Sequence, residues 1–164
     1  MKKYRIGMYG GKFMPLHKGH NYCLEKASKE CDVVYAILFY GGADEQKVLE
    51  KNHEEYLSVK DREKHIINIV RQYKNVLPVM IDISSCRYPN GKEDWDKETP
   101  LVRNVVGDHI DAVYSSEPTY YEYFHRAYPE AVHRIVDAER IHYPISGTRI
   151  RRMKNIKNRL KWII

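Results

Sequence analysis

Residues 10–20 read Gly10-Gly11-Lys12-Phe13-Met14-Pro15-Leu16-His17-Lys18-Gly19-His20, and the fold follows from what flanks them. Upstream, residues 4–9 (YRIGMY) form a short apolar segment that reads as a β-strand. Downstream, the pattern from Lys18 to Glu30 reads as a helix. Gly10 and Gly11 carry no Cβ, so a ligand can approach the backbone there. The first helical turn aims unpaired N–H groups at the same space, a ready anion site. His17 and His20, three apart across the helix start, can turn both rings toward one ligand, and Gly19 between them leaves room against the helix end. A tight turn with two solvated histidines is the plainer alternative. It accounts for a single histidine better than for the whole eleven-residue pattern.

Outward from this loop, strand and helix signals alternate. Residues 33–40 (VVYAILFY) are β-branched and aromatic and run into Gly41-Gly42, a buried strand. Ser58 and Asp61 match a helix start ahead of Ile66, Ile67 and Val70. Residues 76–83 read as a third strand, and a helix over 97–106 stops at Gly107. Two short strands, 112–115 and 134–136, flank a Tyr-rich helix over 119–128, and a last helix follows Ser146. Repeated strand–helix–strand units predict a single α/β domain over 1–164, a doubly wound parallel sheet of about five strands. Its core spans 4–151, and a basic C-terminal helix spans 147–164. Ligands bind such sheets beyond the carboxyl ends of the strands, where strand order reverses, which points to the loops after the first and fifth strands. Residues 41–57, polar and helix-prone, are a candidate flap over the site.

The composition narrows the classes. With 164 residues, 43% apolar and 30% charged, the chain is an ordinary globular sequence long enough for one core. Its longest apolar run, eight residues, falls well short of the ~20 a membrane helix needs, and the start lacks a signal-peptide cleavage pattern. Three cysteines, Cys23, Cys31 and Cys86, without C-x-x-C spacing fit small packed residues and a reducing cytoplasm. The formal charge of +6 is not spread evenly. Seven basic residues and no acid lie from Arg149 to Lys161, leaving 21 of the 28 basic residues against all 22 acids over 1–148. A solvated basic helix is the plain explanation of that block.

The block begins inside a second polar cluster, Ile145-Ser146-Gly147-Thr148-Arg149-Ile150-Arg151. Ser146 or Thr148 is a natural N-cap for the last helix, while Arg149 and Arg151 offer charge-assisted donors to phosphate oxygens. A helix N-terminus contributes only ~0.3–1 kcal/mol toward an exposed anion. Each hydrogen bond to a charged group is worth ~1.5–3 kcal/mol, so a triphosphate needs side chains as well as dipoles.

The two clusters resemble the G-G-x-F-x-P-x-H-x-G-H and I-S-x-T-x-I-R signatures of the nucleotidyltransferase superfamily, which has a Rossmann-like fold and releases pyrophosphate from ATP or CTP. Finer segments are similar to NadR-type nicotinamide-nucleotide adenylyltransferases: Tyr88-Pro89-Asn90-Gly91 with Trp95, Ser115-Ser116-Glu117-Pro118, Val136-Asp137-Ala138-Glu139-Arg140, and the pair Asp61-Arg62. Gly147 departs from the Ser or Ala of many relatives, and no G-x-x-x-x-G-K-[ST] stretch is present, so the kinase and repressor functions of some NadR-type proteins are not carried over.

The resemblance implies an enzyme joining the AMP moiety of ATP to nicotinamide mononucleotide, with magnesium travelling on the ATP and no metal held by the protein. It implies His17, His20, Lys12 and Arg151 as catalytic groups on the phosphates. Gly10, Gly11, Phe13, Gly19, Ser146, Thr148 and Arg149 would bind ATP, and Asn90, Trp95 and Glu117 the mononucleotide. Pro-Asn-Gly is also an ordinary turn, Trp95 could be packing, and Glu117 could end a strand. Tyr120, Tyr121, Tyr123 and Phe124 read as core and surface of one helix, and His53, His65, His109, His125, His133 and His142 as structural. Rival readings are a phosphopantetheine adenylyltransferase, a cytidylyltransferase, or a non-catalytic RNA-binding module using the basic end. A homo-oligomer is compatible with all of these, whereas a nucleic-acid partner fits the last alone.

Overall fold

Val34, Ala36 and Leu38 of one strand face one hydrophobic layer while Ile37 faces another, and this period-2 alternation organises the molecule. A computed structural model describes residues 1–164. The strands are β1 (Tyr4–Gly11), β2 (Cys31–Tyr40), β3 (Val76–Asp82), β4 (Ala112–Ser115) and β5 (Val132–Ile135). All pair in parallel in the order β3-β2-β1-β4-β5. The helices are α1 (Lys18–Glu30), α2 (Ala43–Asn52), α3 (Val59–Val70), α4 (Trp95–Val106), α5 (Tyr121–Ala127), α6 (Gly147–Arg152) and α7 (Ile156–Leu160).

On one face, α1 and α3 bury Leu24, Ala27, Ile66 and Ile69 against β2 and β1. On the other, α4 buries Val102 and Val106 beside Tyr128, Ile37 and Val113. Each fully buried side chain of this size contributes about 1.5–3 kcal/mol. Cys23 and Cys31 sit unpaired in the first layer and Cys86 in the second, as small packed residues. The Rossmann-like, doubly wound fold is therefore the observed one. Ser58 caps α3, its Oγ accepting from the Asp61 N–H at 3.1 Å.

Strand order reverses between β1 and β4, so the crevice opens between their loops, and the expected loops after the first and fifth strands both line it. The segment after β5 reaches the crevice by a longer path. There the Asp137 carboxylate gathers the N–H groups of Ile141, His142 and Tyr143 and turns the chain toward α6.

The basic end differs from expectation. It is not one helix over 147–164 but two short ones broken at Met153, and it is not merely solvated. The chain folds back so that the Trp162 carbonyl accepts the Lys18 N–H at 3.0 Å and Ile163 bridges to His17. Arg159 pairs with Glu54 at 2.7 Å.

Candidate active site

The β1–α1 loop turns sharply at Phe13, whose φ of 50° lies in the left-handed region, and drives Phe13 and Leu16 into the core. Gly10 also makes room for packing, since a Cβ there would stand 2.4 Å from the Phe39 ring. His17 is the N-cap of α1, its Nδ1 accepting from the Gly19 N–H at 3.1 Å. In return His20 Nδ1 accepts from the His17 N–H at 3.1 Å. With Lys18 N–H given to Trp162, the backbone anion site expected at this helix start has lost two of its donors. The imidazoles replace them. A neutral ring that accepts at Nδ1 carries its proton on Nε2, so each histidine keeps one N–H free. Burial and the Arg140 guanidinium push His17 down to about 4, and burial, His17 and Arg140 push His20 well below the usual histidine range.

A cavity of about 510 Å³ lies in the crevice, a size suited to a nucleotide-sized ligand. Gly10, Gly11, Lys12, Phe13, His17, Gly19, His20, Trp95, Glu117, Ser146, Thr148 and Arg151 all line it. Lys12 is not a free cation, for its Nζ meets Glu93 Oε1 at 2.6 Å. Ser146 caps α6 through its Oγ to the Arg149 N–H at 3.2 Å, and Arg151 Nη2 donates to Thr148 Oγ1 at 3.2 Å. Arg151 Nη1 also donates to the Met14 carbonyl at 2.5 Å, tying the second cluster to the first. That approach requires Gly147, where a Cβ would stand 2.9 Å from the same carbonyl.

Two expected residues are not brought in. Arg149 turns outward and donates to the Pro144 carbonyl at 2.6 Å, because it and Arg151 lie on different sides of one helical turn. Asn90 is spent on its own turn, Oδ1 accepting the Lys92 N–H at 3.0 Å, and it faces an outer groove instead of the cavity.

Further groups join the expected ones in the cavity. Arg140 donates to the Ile145 carbonyl at 2.7 Å and pairs with Glu117 Oε1 at 2.5 Å, which stations a guanidinium beside both histidines. Tyr120, Tyr123 and Phe124 line the cavity together with Trp95, whose ring meets Tyr120 edge-on at 5.2 Å. These aromatics are more than core and surface. Residues 41–57 supply a wall through Asp44, Glu45 and Val48. The wall is anchored by the Glu45–Arg62 pair, in which Arg62 is fully buried and also donates to the Lys12 carbonyl at 2.8 Å. Elsewhere His109 bonds to Asp111 and His133 to Ser115, and neither of these histidines lines the cavity.

A parallel sheet with imidazole and guanidinium donors converging at its switch point defines a nucleotide-handling α/β enzyme site. The chain belongs to the cytidylyltransferase-like family, which matches residues 8–153, and is thus a nucleotidyltransferase. It is 28% identical over 156 residues to the trifunctional NAD biosynthesis/regulator protein NadR of Escherichia coli K12, covering 92% of this chain and 37% of that one. A crystal structure of NadR in complex with NAD and AMP-PNP superposes with a TM-score of 0.67 at 20% identity, covering 99% of this chain and 46% of that one. A bifunctional NMN adenylyltransferase/ADP ribose pyrophosphatase from Francisella tularensis superposes at 0.63 and 20% identity, covering 90% and 41%. The chain thus spans little more than a third of the length of its E. coli relative. No helix is long and apolar enough to cross a membrane.

Proposed function

We propose that the protein transfers the AMP moiety of ATP to nicotinamide mononucleotide, giving NAD and pyrophosphate, as a cytoplasmic step of NAD formation. The observation that carries this reading is one cavity lined both by two free imidazole N–H groups with Arg151 and by an aromatic cluster around Trp95. That combination suits a phosphate chain joined to a flat ring. The names of the similar proteins, which include NAD biosynthesis and NMN adenylyltransferase, support the same direction.

In this reading the mononucleotide 5′-phosphate attacks the α-phosphorus of ATP in line. One P–O bond forms, the bond to the β-phosphate oxygen breaks, and pyrophosphate leaves. A phosphate monoester is already a nucleophile, so the chain's work is positioning and stabilising charge. His17 and His20 donate from Nε2 to the α- and β-phosphate oxygens, and arriving negative charge raises their affinity for a second proton. Arg151 and Lys12 hold the phosphate chain, Lys12 exchanging part of its contact with Glu93 for a phosphate oxygen. Ser146 and Thr148 add hydroxyl donors. ATP enters as its magnesium complex.

The test is pyrophosphate release from ATP paired in turn with nicotinamide mononucleotide, nicotinic acid mononucleotide and phosphopantetheine, and from CTP with an alcohol phosphate. Release confined to ATP with a pyridine mononucleotide supports the proposal. Release only with CTP or phosphopantetheine overturns it.

A further inference from the structure

Glu98 is 8% exposed, lines the cavity, and its carboxyl group has no hydrogen-bond or ion-pair partner in the protein. The side chain is largely buried while its carboxyl oxygens stay open to the cavity, where a ligand's donor can meet them. It lies one helical turn beyond Trp95 on α4, so the two share a face. Tyr123 closes the same corner: its hydroxyl donates to the Trp95 carbonyl at 2.8 Å and bonds Thr99 Oγ1 at 3.1 Å. The vacant acceptor therefore belongs to the aromatic end of the cavity.

The cations nearby are already committed. Lys12 is held by Glu93, whose Oε2 also takes the Trp95 indole N–H at 3.4 Å. Arg140 is held by Glu117, and Arg126 by Asp96. The aromatic end thus presents carboxylates with no spare positive charge. A neutral adenine gains little there, whereas a pyridinium ring brings the missing positive charge.

We propose that Glu98 decides which pyridine mononucleotide is accepted: its carboxylate receives the N–H of a ring carboxamide and repels a ring carboxylate. The inference rests on the adenylyltransferase reading and names the substrate within it. A donor that meets an otherwise unpaired acceptor in a mostly enclosed cavity discriminates against an analogue lacking it, and two like charges set together cost more. Burial, with Glu93 and Asp94 beside it and Lys12 opposing them, raises Glu98 to about 7. The groups facing it are Lys12 from the β1–α1 loop, Glu93 and Asp94 from the β3–α4 loop, and Tyr120 and Tyr123 from the segment after β4. Once protonated, Glu98 can donate to a carboxylate, so discrimination weakens as pH falls.

The experiment compares kcat/KM for nicotinamide and nicotinic acid mononucleotides with saturating ATP, in wild type and Glu98→Gln. Wild type favours the carboxamide, and the variant loses roughly tenfold or more of that ratio, mainly by gaining on the nicotinate, with KM for ATP unchanged. In wild type the ratio falls between pH 8 and pH 6. The 5′-phosphate and the histidines are common to both substrates and cancel from the ratio. Should Glu98→Gln fail to fold, the wild-type pH profile decides alone. An unchanged ratio that is also flat with pH overturns the inference, as does an effect confined to KM for ATP, which would assign Glu98 to the adenine amine. Absence of turnover with both mononucleotides is a different result, for it removes the adenylyltransferase reading itself.

Discussion

The rings of His17 and His20 stack with centroids 3.6 Å apart and 25° between their planes, each anchored through Nδ1 to a backbone N–H of the same helix start. Cap and phosphate-binding pair are therefore one device. The atoms that hold α1 in place on one edge of the imidazoles leave the opposite edge free for a ligand.

This arrangement fixes a pH dependence of stability. Buried His17 is held down to about 4 against the ordinary 6.5, so between those values the unfolded chain binds a proton that the folded one refuses. Stability of the ligand-free protein therefore falls as pH drops through that window, by up to about 1.4 kcal/mol per pH unit for one histidine. Glu98 works the other way, since its raised value adds stability at low pH that is lost as pH climbs toward 7. Urea titrations of Glu98→Gln should accordingly show a steeper loss between pH 6.5 and 4 than wild type. Carboxylates held low, such as Glu30 by Arg134 and Asp111 by the Ile6 N–H, lose their contribution only further down the scale.

His20→Ala separates catalysis from capping. It removes one phosphate donor and the acceptor for the His17 N–H, so turnover drops by roughly 10²-fold or more while the lost cap costs only about 0.5–2 kcal/mol. Parallel measurement of kcat and the melting temperature checks this. Global unfolding of the variant would instead assign that histidine a structural role.

Lys12→Met deletes a charge-assisted contact to the phosphate chain and strands Glu93, its 2.6 Å partner. A loss of ~1.5–3 kcal/mol corresponds to about a 10- to 150-fold fall in kcat/KM for ATP. Glu93→Gln should move the ATP affinity in the opposite direction, because it frees the ammonium. Equal and small effects of both changes on KM for ATP would remove Lys12 from the phosphate site.

The Glu45–Arg62 pair is a stability prediction. Glu45→Gln leaves a fully buried guanidinium without its counter-charge, at a cost of about 3–5 kcal/mol in urea unfolding. The double change Glu45→Met with Arg62→Met should recover much of that loss. A single variant as stable as wild type would show that water reaches the pair.

How much of this was legible in the sequence varied with the range of the interactions. The span of α1 and the strand at 112–115 were readable to the residue, because a histidine-and-glycine loop and a short apolar segment between polar ones are local signals. Ser146 as a cap and the shared cavity of the two glycine-flanked clusters were readable for the same reason. Alternation of strands and helices carries no strand order, so the place of β4 beside β1 is not readable from it. Asn90 looked like a ligand group in isolation, yet its turn satisfies it locally. Arg140 is visible in the sequence only through its V-D-x-x-R segment, whereas an acid within a helix is common and only tertiary packing sets Glu98 apart. The i,i+3 spacing of Trp95 and Glu98 was the one available hint. Equally, nothing local in the basic end announces that Trp162 returns to Lys18.

The most direct measurement is of product. Purified protein is incubated with ATP, magnesium and nicotinamide mononucleotide, and NAD and pyrophosphate are quantified together. The account predicts one NAD and one pyrophosphate per mononucleotide consumed, with turnover cut by roughly 10²-fold or more in His20→Ala at a temperature where that variant is folded. ATP consumed without NAD, or NAD formed equally well by folded His20→Ala, would contradict it.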